Sequence, residues 1–226
     1  MPEAALPDRL ARIRHAIAGA QAGHWTHPVR IVAVTKTHGA DAVRAARAAG
    51  LDAVGENRVQ EALSKQDECA DVAVAWHLVG GLQRNKARQV VGRFTLIHSV
   101  DRLDLAAELA RRADGGTTQD VLVQVNCSAE PQKGGVEPGE LVPLLEGIRL
   151  LPALQLRGLM TMAALGAGEA EQRRTFASLR TLRDAAQAEG HDLPELSMGM
   201  SDDYVAAVQE GATMLRLGTA LFGGRP

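Results

Sequence analysis

The stretch Ile31-Val32-Ala33-Val34-Thr35-Lys36-Thr37-His38 decides how this chain is read. Its first five residues are apolar or β-branched without polar alternation, the pattern of a strand buried on both faces. The residues just after the strand matter as much. A dinucleotide-binding sheet would place a glycine-rich turn here, and Thr35-Lys36-Thr37-His38 stands instead. Upstream, Leu6, Leu10, Ile13 and Ile17 recur at helical spacing and predict an opening helix that ends near Gly19 to Gly23. Downstream, Ala40 to Ala49 reads as a helix stopped by Gly50.

The same alternation then runs to the C-terminus. Strand-like runs are Asp52 to Gly55, Ala73 to Val79, Phe94 to Ser99, Val121 to Asn126, Leu154 to Met162, Glu195 to Met198, and Thr213 to Leu217. Helical patterns lie between them over Asn57 to Glu68, Gln83 to Val91, Arg102 to Ala113, Glu140 to Gly147, Glu169 to Glu189, and Asp202 to Glu210. Strands alternating with helices imply parallel pairing through right-handed crossovers. The expected fold is a (β/α)₈ TIM barrel with an additional N-terminal helix, which covers the gap left by the short tail Leu221 to Pro226. An open doubly wound sheet is the rival, without its usual glycine fingerprint. No linker or shift in composition interrupts the chain, so residues 1–226 are expected to form one domain.

The 226 residues are 46% hydrophobic, with two Trp, one Tyr and three Phe, so the core must be filled by Ala, Val, Leu and Ile. A net charge of −2 with interspersed signs argues against a nucleic-acid or anionic-membrane partner. No apolar run approaches membrane-spanning length, and the N-terminus lacks the uninterrupted apolar stretch of a signal peptide. Cys69 and Cys127 lie far apart, and no histidine pair has metal-ligand spacing. A cytoplasmic protein, monomeric and without a metal, is expected. Its only lysines are Lys36, Lys65, Lys86 and Lys133.

In a barrel the reactive residues stand at the C-terminal ends of the strands. Those ends read Lys36; Glu56 and Asn57; His77; His98 and Ser99; Asn126; Thr161 and Met162; Ser197; Arg216 and Thr219. Such density of hydrogen-bonding groups suits a cofactor pocket. Lys36 either snorkels to solvent or, partly desolvated, offers an amine that can attack an aldehyde. The segments Ser197-Met198-Gly199-Met200-Ser201-Asp202 and Arg216-Leu217-Gly218-Thr219 follow strands seven and eight, the habitual phosphate site of this fold. Ser201 and Asp202 can open a helix, Gly218 allows close backbone approach, Thr219 offers a hydroxyl and Arg216 a fixed charge. Helix capping and a structural arginine would account for the same residues. A lysine together with an anion cup points to a phosphorylated aldehyde.

With these residues in place, the chain resembles the pyridoxal phosphate homeostasis protein family. The resemblance is carried by Ala33-Val34-Thr35-Lys36-Thr37, Gly55-Glu56-Asn57-Arg58-Val59-Gln60-Glu61 and Trp76-His77-Leu78-Val79-Gly80-Gly81-Leu82-Gln83-Arg84-Asn85-Lys86. It continues through Val123-Gln124-Val125-Asn126, Arg157-Gly158-Leu159-Met160, Leu196-Ser197-Met198-Gly199-Met200-Ser201-Asp202-Asp203 and Arg216-Leu217-Gly218-Thr219-Ala220-Leu221-Phe222-Gly223. The resemblance implies an alanine-racemase-like barrel that holds pyridoxal 5′-phosphate (PLP) as a Schiff base on Lys36. It implies that Ser201, Gly218 and Thr219 bind the phosphate and that Asn57, His77 and Ser197 line the ring. Arg216 would reach either the pyridine nitrogen or the phosphate. Gly81 replaces an expected proline, and His38-Gly39 an expected Lys-Pro, both at the rim.

The resemblance also implies a carrier that buffers or delivers PLP to apo-enzymes. A racemase would need a second base, and Tyr204, the only tyrosine, is a poor candidate on a predicted helix. An arginine at the pyridine nitrogen would weaken the electron sink. A single-domain amino-acid racemase and a Schiff-base aldolase remain the alternatives. Lys133, in the loop Pro131 to Gly135, could offer a second amine near the mouth, although a surface lysine explains it equally.

Overall fold

The computed structural model of this chain describes residues 5–113, 116–128, 130 and 134–224. Among them, eight parallel strands close into a barrel in sequence order, the first pairing with the last. The strands are β1 (Arg30–Val34), β2 (Ala53–Glu56), β3 (Ala75–Leu78), β4 (Leu96–Val100), β5 (Gln119–Gln124), β6 (Leu154–Met160), β7 (Glu195–Ser197) and β8 (Met214–Leu217). The helices are α1 (Leu6–Gln21), α2 (Ala40–Ala48), α3 (Val59–Glu68), α4 (Ala87–Val90), α5 (Leu103–Arg112), α6 (Leu141–Arg149), α7 (Glu169–Ala188), α8 (Tyr204–Gln209) and α9 (Thr219–Phe222). This is the expected (β/α)₈ architecture.

Two helical readings need correction. The run expected over Gln83 to Val91 is a 3₁₀ turn, Arg84–Lys86, followed by the four-residue α4. The expected tail at Leu221 is instead part of α9, entered through Gly218. Helix α1 begins with Pro at its first turn and buries Leu10, Ile13 and Ile17. It packs against α8 and α9, and so seals the seam between the ends of the chain.

Two apolar layers hold the barrel. The larger lies between strands and helices, where Ile31, Ala33, Val54, Ile97, Val121 and Leu215 meet residues such as Leu105, Leu145 and Phe176. The smaller fills the barrel itself, with Val32, Ala53, Leu96, Leu122, Met160 and Met214. Each fully buried Leu, Ile or Met contributes about 1.5–3 kcal/mol of transfer free energy. That interior plug makes the middle of the barrel a packed core beneath a cavity at its C-terminal mouth. Among the described residues, no helix is long and apolar enough to cross a membrane.

Candidate functional site

A cavity of ≈ 370 Å³ opens at the C-terminal mouth, within the size range of small-molecule sites. Lys36, Asn57, Ser201, Arg216, Gly218 and Thr219 all line it. His77 and Ser197 do not. Both side chains are buried beneath its floor, at 3% and 0% exposure. A second cavity of similar volume, ≈ 380 Å³, lies between α1 and the N-terminal ends of β1 and β2, lined by Ile17, Gln21 and Leu51 among others. It offers no nucleophilic amine, so chemistry rather than size singles out the mouth.

Lys36 itself is exposed in the cavity, so the expected desolvation of its amine is not provided by the protein chain. What the chain provides is aim. Lys65 is buried on α3 and donates from Nζ to the Thr35 carbonyl at 2.7 Å, to Glu56 Oε1 at 2.7 Å and to Glu61 Oε1 at 2.9 Å. The Thr37 amide donates to the same Glu61 Oε1 at 2.9 Å, and Thr35 Oγ1 donates to Glu56 Oε1. The residues on either side of Lys36 are thus tied to one ion cluster. The reason is visible in the backbone: Thr37 has φ +66°, the left-handed region that a β-branched residue rarely adopts. Burial raises the Glu56 carboxyl, only partly offset by hydrogen bonds from Lys65 and Thr35. For Glu61 burial acts upward too, but Lys65 and the Thr37 amide outweigh it and hold the group low.

The anion side is built from hydroxyl and backbone. Ser201 Oγ accepts from the amides of Ala220 at 3.0 Å and Gly218 at 3.3 Å, joining the β7 and β8 loops. The buried Asp203 carboxylate takes the Met200 amide and shapes the turn. Gly199 has φ +93°, and a Cβ there would stand 2.5 Å from the Ala207 Cβ, so only glycine fits. Arg216 points in from β8, donating to Ser197 Oγ at 2.7 Å and to the Thr161 carbonyl at 2.9 Å. Burial lowers its pKa to about 10, opposed by Asp203, and it stays cationic at neutral pH.

Asn57 is placed by a close backbone approach: a Cβ on Gly80 would fall 2.3 Å from the Asn57 carbonyl oxygen. At the rim, the His38 and Phe222 rings lie 5.3 Å apart, linking the β1 loop to α9. Asn126 binds the Glu130 carbonyl and Glu137, and is not among the lining residues. Lys133 lies outside the described residues. Among the described residues no group of three or more His, Cys, Asp or Glu could hold a metal ion.

Sequence reading missed the Lys65 cluster. Its signal was there: Glu61 and Lys65 are four apart on one helix face, and Glu56 places a charge at the end of an apolar strand.

The alanine racemase N-terminal domain family matches residues 9–226. A pyridoxal phosphate homeostasis protein of Pseudomonas aeruginosa is 47% identical over 216 residues, covering 95% of this chain and 92% of the relative. The structure of PipY from Synechococcus elongatus with PLP bound superposes with a TM-score of 0.84 at 42% identity, covering 96% of this chain and 100% of that one. An alanine racemase of Clostridium difficile shares the fold at a TM-score of 0.77 and 17% identity, over 97% of this chain and 57% of its own.

Proposed function

Since this chain belongs to the pyridoxal phosphate homeostasis protein family, we propose that it binds PLP at the barrel mouth and serves intracellular PLP homeostasis by holding and releasing the cofactor. The observation that carries this reading is the shared cavity: one exposed amine, a serine–glycine–threonine turn and a buried arginine all face it.

When bound, PLP supplies an aldehyde carbon that a lysine amine can take up with loss of water, forming a Schiff base, and give back when water returns. The rest is done by the chain. Lys36 is the amine, aimed by its clamped neighbours. Lys65 is no rival, because two carboxylates and a carbonyl occupy its ammonium. Ser201, Gly218 and Thr219 receive the phosphate, and Arg216 meets either the ring nitrogen or the phosphate from the floor. Asn57 borders the ring. Ser197 and His77 act from below, Ser197 through its bond to Arg216. The acceptors would be cytoplasmic apo-enzymes, and the protein would work as a monomeric single domain.

A carrier fits the cavity better than a racemase. Racemization needs bases on both faces of a substrate carbon, and Tyr204 is absent from the lining, packed on α8 against the core. The test is spectroscopic. Adding PLP should give a visible absorption band that borohydride abolishes, leaving the label on the peptide containing Lys36. Lys36→Ala should lose the band and keep weak PLP binding. A colourless wild type, a label elsewhere, or solvent deuterium entering an amino-acid α-carbon would each defeat the carrier reading.

A further inference from the structure

From the cavity floor downward, four side chains run in line through the barrel. Arg216 Nη1 donates to Ser197 Oγ at 2.7 Å, Ser197 Oγ stands 2.9 Å from His98 Nδ1, and His98 Nε2 stands 3.0 Å from His77 Nδ1. None is more than 4% exposed. The line crosses the apolar interior and ends at a ≈ 260 Å³ pocket on the opposite face, where His77 is joined by Arg30, Asp120, Arg157 and Glu195 at the N-terminal ends of the strands.

The line has a direction. A guanidinium only donates, so Ser197 Oγ accepts from Arg216. The serine proton forms no other hydrogen bond among the described residues, and it goes to His98 Nδ1. His98 therefore carries its proton on Nε2 and gives it to His77 Nδ1. His77 carries its own on Nε2, facing the basal pocket. Reversal would strand a buried hydroxyl proton. Burial pushes His77 down to about 3 and His98 well below the usual imidazole value, aided there by His77, Arg216 and Arg30, so both rings are neutral and only their tautomers are at issue.

We propose that His98, backed by His77, is a positioning residue for Arg216: the directed chain commits one edge of the guanidinium to Ser197 and the Thr161 carbonyl, and thereby aims its remaining donors into the cavity. His98 is not among the lining residues and works through Ser197. The part of this inference that concerns cofactor retention rests on the PLP reading; the tautomers belong to the chain alone.

Long-range ¹H–¹⁵N spectra of cofactor-free, histidine-labelled protein at neutral pH should show His77 and His98 each as a single neutral Nε2–H tautomer. Ser197→Ala should leave His98 a tautomer mixture. An Nδ1–H or averaged His98 in the wild type overturns the directed chain. For retention, PLP release into excess apo-enzyme is followed by loss of the visible band. His98→Asn keeps an acceptor oxygen where Nδ1 stood and should release at the wild-type rate, whereas His98→Leu should release on the order of tenfold faster. Equal acceleration in both variants, or none in His98→Leu, overturns the positioning role. Wild-type protein that takes up no PLP would defeat the cofactor reading and leave the spectra to decide the chain.

Discussion

On the β1–β2 side of the cavity, Lys36 is held by charges that surround its neighbours: Lys65 between Glu56 and Glu61, all tied to Thr35 or Thr37. On the β7–β8 side, the cup is held by amides, one serine hydroxyl and one glycine, Gly199, with no room for a side chain. On the proposed reading, the first side aims a flexible amine while leaving it free to react, so its rigidity is moved into the residues before and after. The second would receive a group that brings its own charge. Polar but uncharged donors do that without repelling one another when the cup is empty. Beside Lys36 the cation of Lys65 is buried between carboxylates, whereas around the cup charge comes from Arg216 on the floor and from Asp202 and Asp203 in the turn.

The contrast predicts unequal damage. Lys65→Met leaves Glu56 buried without its cation and should cost about 3–5 kcal/mol in urea unfolding. Adding Glu56→Gln should recover part of that. A single-variant loss below about 1 kcal/mol would mean the cluster is not coupled to the fold.

The floor between the two sides should report itself in acid. Unfolded histidines titrate near 6.5, while His77 is held at about 3 and His98 well below its usual value. Between those values the unfolded chain binds more protons. Stability should therefore fall as pH drops below about 6.5, by about 1.4 kcal/mol per pH unit for each ring. Protonation of Glu56, whose carboxyl burial raises, offsets part of that slope. Calorimetry from pH 7 to 5 checks it, and a flat profile would contradict two neutral buried rings.

On the cup side, Gly199→Ala forces a Cβ against Ala207 and Leu215 and should cost about 1–3 kcal/mol, with faster PLP release. The smallest effect belongs to Ser201→Ala, which unlinks the two loops for about 1 kcal/mol while still lowering PLP retention measurably. If Ser201→Ala destabilized as much as Lys65→Met, the contrast between the sides would be lost.

The barrel was legible because Ile31 to Val34 and its counterparts are short apolar runs separated by helical periodicity, and periodicity is local. That Lys36 and the turns at Ser201 and Gly218 reach the barrel mouth was legible because strand ends are local too. Depth was not. His77 and Ser197 read as strand-end residues, yet His77 pairs in register with Gly55 and Leu96, whereas Val79, two residues on, lines the cavity. How far a strand-end residue stands above the floor depends on the stagger between strands, which no single strand encodes. The Lys65 cluster stayed hidden for a related reason: it joins β1, β2 and α3 through partners up to 30 residues apart.

The pairing of β1 with β8 has a consequence for biosynthesis. Arg30 to Ala33 take their partners from Met214 to Leu217, so the edge beside Lys36 stays bare while the ribosome makes almost everything between. The cup belongs to those same late residues. On the proposed reading, a nascent chain that already displays Lys36 has nowhere to seat a phosphate until β8 and Thr219 have also been made.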